Sequence, residues 1–459
     1  MTSTSRYISI RPDNVSPDAT ISFVEGFPVL SFTIQAQQGL LDPRSIRING
    51  EVAFFKDLVG GGTPVFSNDA GGSQVTADNR LGIYGMWDQL VIRHNKSKQI
   101  CEHIRHYNRY LSTYLGLTSS KQDLMGHLNQ SCLIQPNEQS FFEQIVANGL
   151  AAAGRTIPKA FSCHLPSGFM MSGNKINLME NSFGGIQIEL HLSPDSNCLF
   201  ERGGNGGNVP NAHYKLSNLS LSCEIQQVPA EMLAQVSAQR EGALEYNTIT
   251  SLYTSVNTSN AQLQYTLGLR NLQSCFVSFA PARNLNNLSA NGLATTYPSQ
   301  ADLSLVNFTR VQWLRGGAKY PLDFDITTNR TIAGNVNDAT AGQQSGFSVS
   351  DPQLTRQFVE AVIPEYMNDR TSISVVNQNR SYDMTNTDGV TYTQVAQGGP
   401  LFGLGMRYSQ FNKGQDFSAE QWGLSLESNL TSDNPMGVFM YFKARQTLVW
   451  NQSGIQVIS

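Results

Sequence analysis

The chain is poor in charge. Only 14% of its 459 residues are Asp, Glu, Lys or Arg, against about 25% in an average soluble domain. Charged side chains are disfavoured at the buried centre of protein interfaces, so this composition suits a protein packed against copies of itself. A basic arm is also missing. Residues 1–20 contain only Arg6 and Arg11 as cations, beside Asp13 and Asp18, and the net charge is −4. Neutralising many phosphates needs clustered Lys and Arg, so extensive direct nucleic-acid binding is not expected. The six cysteines, at 101, 132, 163, 198, 223 and 275, include no CxxC pair. In a chain this long they read as reduced, mostly buried thiols. The opening MTSTSRYISIRPDN lacks an apolar core, so no signal peptide is expected. Residue 2 is Thr, so N-myristoylation is not expected. No run approaches 18 uninterrupted apolar residues, so no membrane-spanning helix is expected. The sequons at Asn218 and Asn307 are then expected to stay unmodified, with synthesis and assembly inside a cell.

What is present is period-2 alternation, the mark of half-buried strands. Phe32 and Ile34 alternate in SFTIQ, and Ile46 and Ile48 in SIRINGEV. In GIQIELHLS, Ile186, Ile188, Leu190 and Leu192 share one face. KLSNLSLSCEIQ carries Leu216, Leu219, Leu221, Cys223 and Ile225. LQYTLGLRNL (Leu263, Tyr265, Leu267, Leu269), CFVSF and GVFMYFKARQTLVW follow. Gly-, Asn- and Ser-rich turns such as GGGT (60–63), NDAGG (68–72) and GGNGGN (203–208) separate these runs. Many short strands with such turns indicate sandwiches or barrels.

Three helices are expected. Residues 97–116 place Ile100, Ile104, Tyr107, Leu111 and Leu115 on one stripe, with Ser97 and Gly116 as caps. Residues 352–363 follow Asp351 as N-cap and Pro352 at the first helical position, with Leu354, Phe358, Ala361 and Val362 on the buried face. A third helix covers 229–242, started by Pro229 and stopped by Gly242. That helix lies at mid-chain, between two series of alternating strands. The expected division is therefore 1–228, a linker helix at 229–243, and 244–459. Each half is long enough for one eight-stranded jelly roll with loop insertions. The fold class expected is all-β: two consecutive jelly rolls with a few short helices.

In ordered pattern, the chain resembles the double jelly-roll major capsid proteins of eukaryotic double-stranded DNA viruses, of the Polinton-like virus, adintovirus and virophage type. SFTIQAQQGLLDPRSIRINGEVAF (31–54) resembles the family's first strand, "leu-asp" turn and next strand. GMWDQLVIRHNKSKQICEHIRHYNRYLSTYL (85–115) resembles its strand, turn and helix, with Glu102, Ile104, Tyr107 and Asn108 at the acidic-x-isoleucine and Tyr-Asn positions. HLPSGFMMSGNKINLMENSFGGIQIELHLS (164–193) resembles the "leu-pro" strand, its turn and the long strand closing the first barrel. YKLSNLSLSCEIQQVP (214–229) resembles the exit strand. The resemblance covers roughly residues 20–230; the second half matches as a β-rich domain with one inserted helix. It implies a homotrimer forming a pseudo-hexagonal capsomer, with six upright jelly rolls, tiling an icosahedral capsid. Neighbouring capsomers, penton proteins and minor or cement capsid proteins would be the partners. An internal membrane is an indirect one, and the virion is the expected location.

Candidate sites compete with ordinary structural readings. Cys101, Glu102, His103 and His106 invite zinc, but apart from His94 no further ligand has useful spacing. The polar face of an amphipathic helix accounts for them. Cys163 and His164 are adjacent on a strand and face opposite ways, a core thiol beside an exposed imidazole. The segment Gly168 to Gly173, with Ser172, is not a nucleophile elbow. GGNGGN lacks the ending of a phosphate loop. Gly403-Leu-Gly405-Met-Arg407 is a lone GxG read as a turn. Arg315 and Lys319 form a basic turn. Asp323 and Asp325 are placed on one face of a surface strand, and no histidine follows His213. No catalytic residue, metal or cofactor is expected. The 43 aromatic residues sit mostly in alternating strands, which argues for cores and subunit contacts. The leading function is a self-assembling capsid protein. The alternatives are a carbohydrate-binding β-sandwich attachment or fibre protein, and a single-jelly-roll coat protein with a protruding domain.

Overall fold

The computed structural model describes residues 4–458 apart from 17–18, 25, 27, 56–73, 78–80, 120–125, 135–157, 203–212, 239–240, 283–307, 328–351, 364–379, 386–390, 397–402, 409–413, 429–431, 433–434 and 452–453. The turn segments 60–63, 68–72 and 203–208 and the N-cap position 351 lie outside the described residues.

Alternation produces strands where it is clearest. The first set is β1 (Ser5–Ile10), β2 (Val29–Ile34), β3 (Arg47–Phe55), β4 (Trp87–His94), β5 (Ile100–Arg105), β6 (Lys159–His164), β7 (Ile186–Leu192) and β8 (His213–Gln226). One sheet has the order β1-β8-β3-β6; the other has β2-β7-β4-β5. All pairs are antiparallel. Ile186, Ile188, Leu190 and Leu192 of β7 are buried, as are Leu216, Leu221, Cys223 and Ile225 of β8, so both inner faces supply one core.

A second set repeats this order. It comprises β9 (Gly242–Val256), β10 (Asn260–Tyr265), β11 (Leu272–Pro281), β12 (Phe308–Arg315), β13 (two short pieces, Ala318–Lys319 and Ile326–Thr327), β14 (Gly403–Arg407), β15 (Trp422–Ser428) and β16 (Met436–Asn451). The sheets run β9-β16-β11-β14 and β10-β15-β12-β13. Position for position this is the first arrangement again. The helices repeat as well. Helix α1 (Tyr107–Thr118) follows the fifth strand of the first set, and a helix at Pro352–Val362 follows the fifth of the second. Between the sets lies α2 (Ala230–Ser237); the helix at 352–362 is therefore α3.

Three expectations are corrected. Residues 97–116 are not one helix. Residues 100–105 form β5, which pairs with β4 in register Leu90↔Ile104, and Ile100 is exposed. The turn is closed by a bond from His94 N to Gln99 O at 2.9 Å, with Lys98 at φ +57°. Ser97 sits in this turn with its hydroxyl 2.8 Å from His94 Nδ1. His106, at φ +51°, turns the chain into α1, which runs past Gly116 to Thr118. A partner strand outweighed the helical stripe, because propensity yields to tertiary pairing. Next, Gly403 and Gly405 are not a turn but lie within β14, under α3. A Cβ on Gly403 would stand 2.4 Å from the Phe358 ring, and one on Gly405 2.7 Å from Ala361 Cβ. The glycines let the helix lie against the sheet. Last, Asp323 and Asp325 share no strand. Pro321, which has no N–H to give a ladder, precedes an irregular stretch, and pairing resumes only at Ile326.

The α3 seat gives a direct test. Gly405→Val should overpack the contact with Ala361 and the Phe358 backbone, lowering stability by about 1–3 kcal/mol. Thermal or urea unfolding of the variant against the parent chain measures it, and an unchanged midpoint would contradict this packing.

Candidate functional site

The feature that organises the molecule is the seam where the two sandwiches meet. Strand β16 is long and almost wholly buried from Met436 to Phe442. Its Val438, Met440, Phe442 and Ala444 enter the second core, while Phe439 and Tyr441 face the first sandwich. There α1 supplies Tyr110, whose ring centroid lies 5.6 Å from Tyr441 and 6.0 Å from Phe276 of β11. The Tyr441 hydroxyl donates to His106 O at 2.9 Å. Arg109 lies over the Phe439 ring at 5.2 Å. Helix α3 closes the same face, with Ser274 Oγ donating to Ala361 O at 2.7 Å.

Next to this aromatic contact is a buried carboxylate. Glu102 on β5 is 1% exposed. It accepts three backbone N–H bonds: Gly168 at 3.1 Å, Phe169 at 2.9 Å and, from the second sandwich, Ile249 at 2.7 Å. Arg105 N donates to Ser251 Oγ at 2.7 Å, and the Tyr246 hydroxyl donates to Cys101 O at 2.8 Å. Three polar links thus join β5 to β9. Gly168 is required here, since a Cβ would meet Asn247 O at 2.4 Å. Burial pushes the Glu102 carboxyl up to about 7, against the opposing pull of its hydrogen bonds from Ser167, Phe169, Ile249 and Gly168.

The residues Glu102, Ile104, Tyr107 and Asn108 therefore have structural work. Ile104 is fully buried in the core. The Tyr107 hydroxyl donates to Pro166 O at 2.9 Å. Asn108 is buried, with Nδ2 3.4 Å from both Gly85 O and Ser193 Oγ.

The histidines beside Glu102 do not converge. His103 Nε2 lies 3.0 Å from Gln89 Oε1. His106 Nδ1 lies 3.5 Å from Asp88 Oδ1, and its ring packs on Tyr253 and Phe439. His94 is held by Phe183 O at 2.6 Å, and burial lowers its pKa. The Cys101 thiol is pushed up to about 12 by burial. Among the described residues, no group of three His, Cys, Asp or Glu side chains is arranged to hold a metal. Cys163 is buried and His164 half-buried on β6; all six cysteines are buried and unpaired as disulfides. Arg315 pairs with Glu420 at 2.6 Å, and Lys319 with Asp325 at 3.0 Å. Arg315, Lys319 and Asp325 thus each have an ion-pair partner nearby.

One group escaped sequence reasoning. A cleft of about 730 Å³ opens at the end of the seam, lined by residues of both sandwiches, among them Lys175, Arg407, Lys443 and Arg445. These cations are spread over 270 positions of sequence, so no local signal could gather them.

No protein-family model and no curated protein matches the sequence. Solved structures do match. VP54 of PBCV-1, as fitted into a reconstruction of the virophage Sputnik, is 12% identical, covers 100% of this chain and 97% of its own, and superposes with a TM-score of 0.52. The Sputnik virophage structure itself is 11% identical, with 100% and 89% covered and a TM-score of 0.54. A PBCV-1 virus capsid model is 10% identical, with 100% and 97% covered and a TM-score of 0.52. The chain is a double jelly roll. At this identity the shared property is the fold, with both jelly rolls and their order in the chain included. The seam is the place where the two jelly rolls become one unit.

Glu102 makes that claim measurable. Its folded value lies above the ordinary 4.5, so the folded chain holds the proton more tightly than the unfolded one. Its contribution is fully present below pH 4.5 and is lost as pH rises through about 7, by roughly 3 kcal/mol in all. Glu102→Gln removes this dependence, while turning a donor toward Phe169 N–H at a cost of about 1–3 kcal/mol. Glu102→Ala orphans three buried N–H groups and should cost more than Glu102→Gln. Unfolding midpoints from pH 4.5 to 8 for the three proteins test this. A parent chain with no excess pH slope over Glu102→Gln would refute it.

Proposed function

We propose that the chain is a major capsid protein, self-assembling into pseudo-hexagonal homotrimeric capsomers that tile an icosahedral shell. The observation that carries this reading is the double jelly roll aligned end to end with the capsid of PBCV-1 and with Sputnik. Two sandwiches of identical strand order, fixed side by side through one seam, give each chain two similar lobes. Three such chains present six lobes around a threefold axis, and pseudo-sixfold units tile a closed shell as hexagons do.

The low charge content and the near-neutral balance support the same reading. They favour broad contacts between subunits over condensation of nucleic acid. On this reading the chain is not an enzyme and works by assembly. Its partners are further copies of itself, neighbouring capsomers, and penton and minor or cement capsid proteins; a membrane beneath the shell would be met only indirectly. It acts in the virion, after assembly in the host cell. The division into 1–228, the linker helix at 229–243 and 244–459 belongs to the same proposal, supported by α2 standing between two complete strand sets.

Light scattering on the purified chain should give three times its mass of 50.4 kDa. Electron microscopy should show six-lobed particles. A monomer persisting at high concentration would overturn the proposal.

A further inference from the structure

The seam joins two unlike surfaces. The second jelly roll offers the outer face of its sheet β9-β16-β11-β14, with Tyr246 and Ser251 of β9 and Phe439 and Tyr441 of β16. The first offers an edge, β5, the last strand of sheet β2-β7-β4-β5. An edge strand carries unpaired N–H and C=O groups. On β5 these are met by hydroxyls of β9: Ser251 Oγ accepts from Arg105 N, and the Tyr246 hydroxyl donates to Cys101 O. A sheet face meets a sheet edge, and a contact between unlike surfaces is heterologous.

Each jelly roll has both kinds of surface, since the strand order is the same in the two sets. The chain uses one face and one edge on itself. The outer face of β1-β8-β3-β6 and the edge formed by β13 are left over, and they match the surfaces already joined. Strand β1 holds the place of β9. Its Ser5, Tyr7 and Ser9 are exposed, while Ile8 and Ile10 pack against the core. Tyr7 is 73% exposed, with its hydroxyl donating to Glu224 at 3.2 Å. The face beside it is polar: Asn49 bonds Ser222 at 3.0 Å and Ser162 at 2.7 Å. Strand β13 holds the place of β5 and, among the described residues, pairs on one side only, with β12. Helix α1 flanks the edge of the first jelly roll, whereas α3 lies on its own sheet, so β13 itself carries the contact. Between its two pieces stands Phe324, 47% exposed. Two exposed rings thus mark the two unused surfaces, and aromatic side chains are enriched at interfaces. Charge agrees as well, with Arg47 exposed on β3 and Asp323 exposed beside Phe324.

We propose that the outer face of β1-β8-β3-β6 in one copy receives the β13 edge of a second copy, so that each contact between chains repeats the seam within a chain. This rests on the self-assembly reading and adds which surfaces meet. A heterologous contact has a direction, and it closes into a ring when its rotation allows. Three chains then alternate one internal seam with one contact between copies.

Light scattering on full-length variants tests it. Tyr7→Asp and Phe324→Asp change exposed side chains, so each should keep the circular dichroism of the parent and weaken trimer formation at least tenfold. Gln262→Asp, exposed on β10 and outside both surfaces, should leave the trimer as it is. A chain carrying Tyr7→Cys, co-expressed with one carrying Phe324→Cys, should give a covalent dimer with a flexible bis-maleimide, and neither chain alone should. The six native cysteines are buried, and this arm carries the test if an Asp variant unfolds. A trimer that survives both Asp variants and yields no mixed cross-link would overturn the inference and leave the shell reading intact. Covalent dimers from the Tyr7→Cys chain alone would assign a like-to-like contact and also overturn it. A parent chain that stays monomeric would overturn the shell reading and this inference with it.

Discussion

Strand β16 has no wet face over its first half, and the rest of the molecule is arranged around that constraint. A sheet strand normally buries every second side chain and leaves the others to solvent. Here Val438, Met440 and Phe442 fill one core while Phe439 and Tyr441 need another cover. Helices α1 and α3 and strand β5 supply it. A jelly roll with such a sheet would expose an apolar patch if it stood alone, the kind of surface that soluble monomers keep small. The second sandwich is thus committed to the first by its own pleat. Glu102 and Ser251 then fix how the two sit, because hydrogen bonds have direction where apolar burial has little. The carboxylate is an expensive choice for that role. Its burial disfavours the charge, and one of its three backbone donors, Ile249, is satisfied only when β9 lies at the right register.

Much of this was legible in the chain, and the legible parts share a physical cause. Ile186, Ile188, Leu190 and Leu192 sit in a strand with one dry face and one half-exposed face, so burial prints directly as alternation. The helix at 352–362 was legible because it is amphipathic and begins at a proline. The stretch 97–116 misled because Ile100 and Ile104 fall at helical spacing with Tyr107, Leu111 and Leu115 by coincidence. Only pairing with β4, a distant contact, decides for a strand there. Gly403 and Gly405 misled for a related reason. A glycine in a short segment looks like a turn until one knows that a helix lies on top of it. Glu102 carried no local sign of burial at all, since its partners come from residues 168, 169 and 249.

The duplication shows where sequence stops recording structure. The two sandwiches share strand order, strand directions and the position of the inserted helix, yet no repeat is visible between the halves. Jelly-roll topology needs only eight alternating segments in a set order, and many residues satisfy each position. What differs is which outer face must be covered. Strand β8 pairs with β1 and β3 at an outer sheet, and its off-core positions are half-exposed polar groups such as Ser217 and Glu224. Its counterpart β16 holds Phe439 and Tyr441 at such positions. The same topological slot therefore demands opposite residue types.

The passage along β16 from Tyr441 to Lys443 has a mechanical consequence. Up to Tyr441 the seam excludes water and its contacts are aromatic, so separation there exposes apolar area and is costly at any ionic strength. From Lys443 onward the two walls meet through polar contacts: Asn174 Nδ2 donates to Glu245 O at 2.6 Å, and the Glu245 carboxylate pairs with Arg445. That end of the seam depends on directed hydrogen bonds rather than on apolar area. The join between the two jelly rolls is therefore apolar at the aromatic end and polar at the other, and the single pleat of β16 determines which end is which.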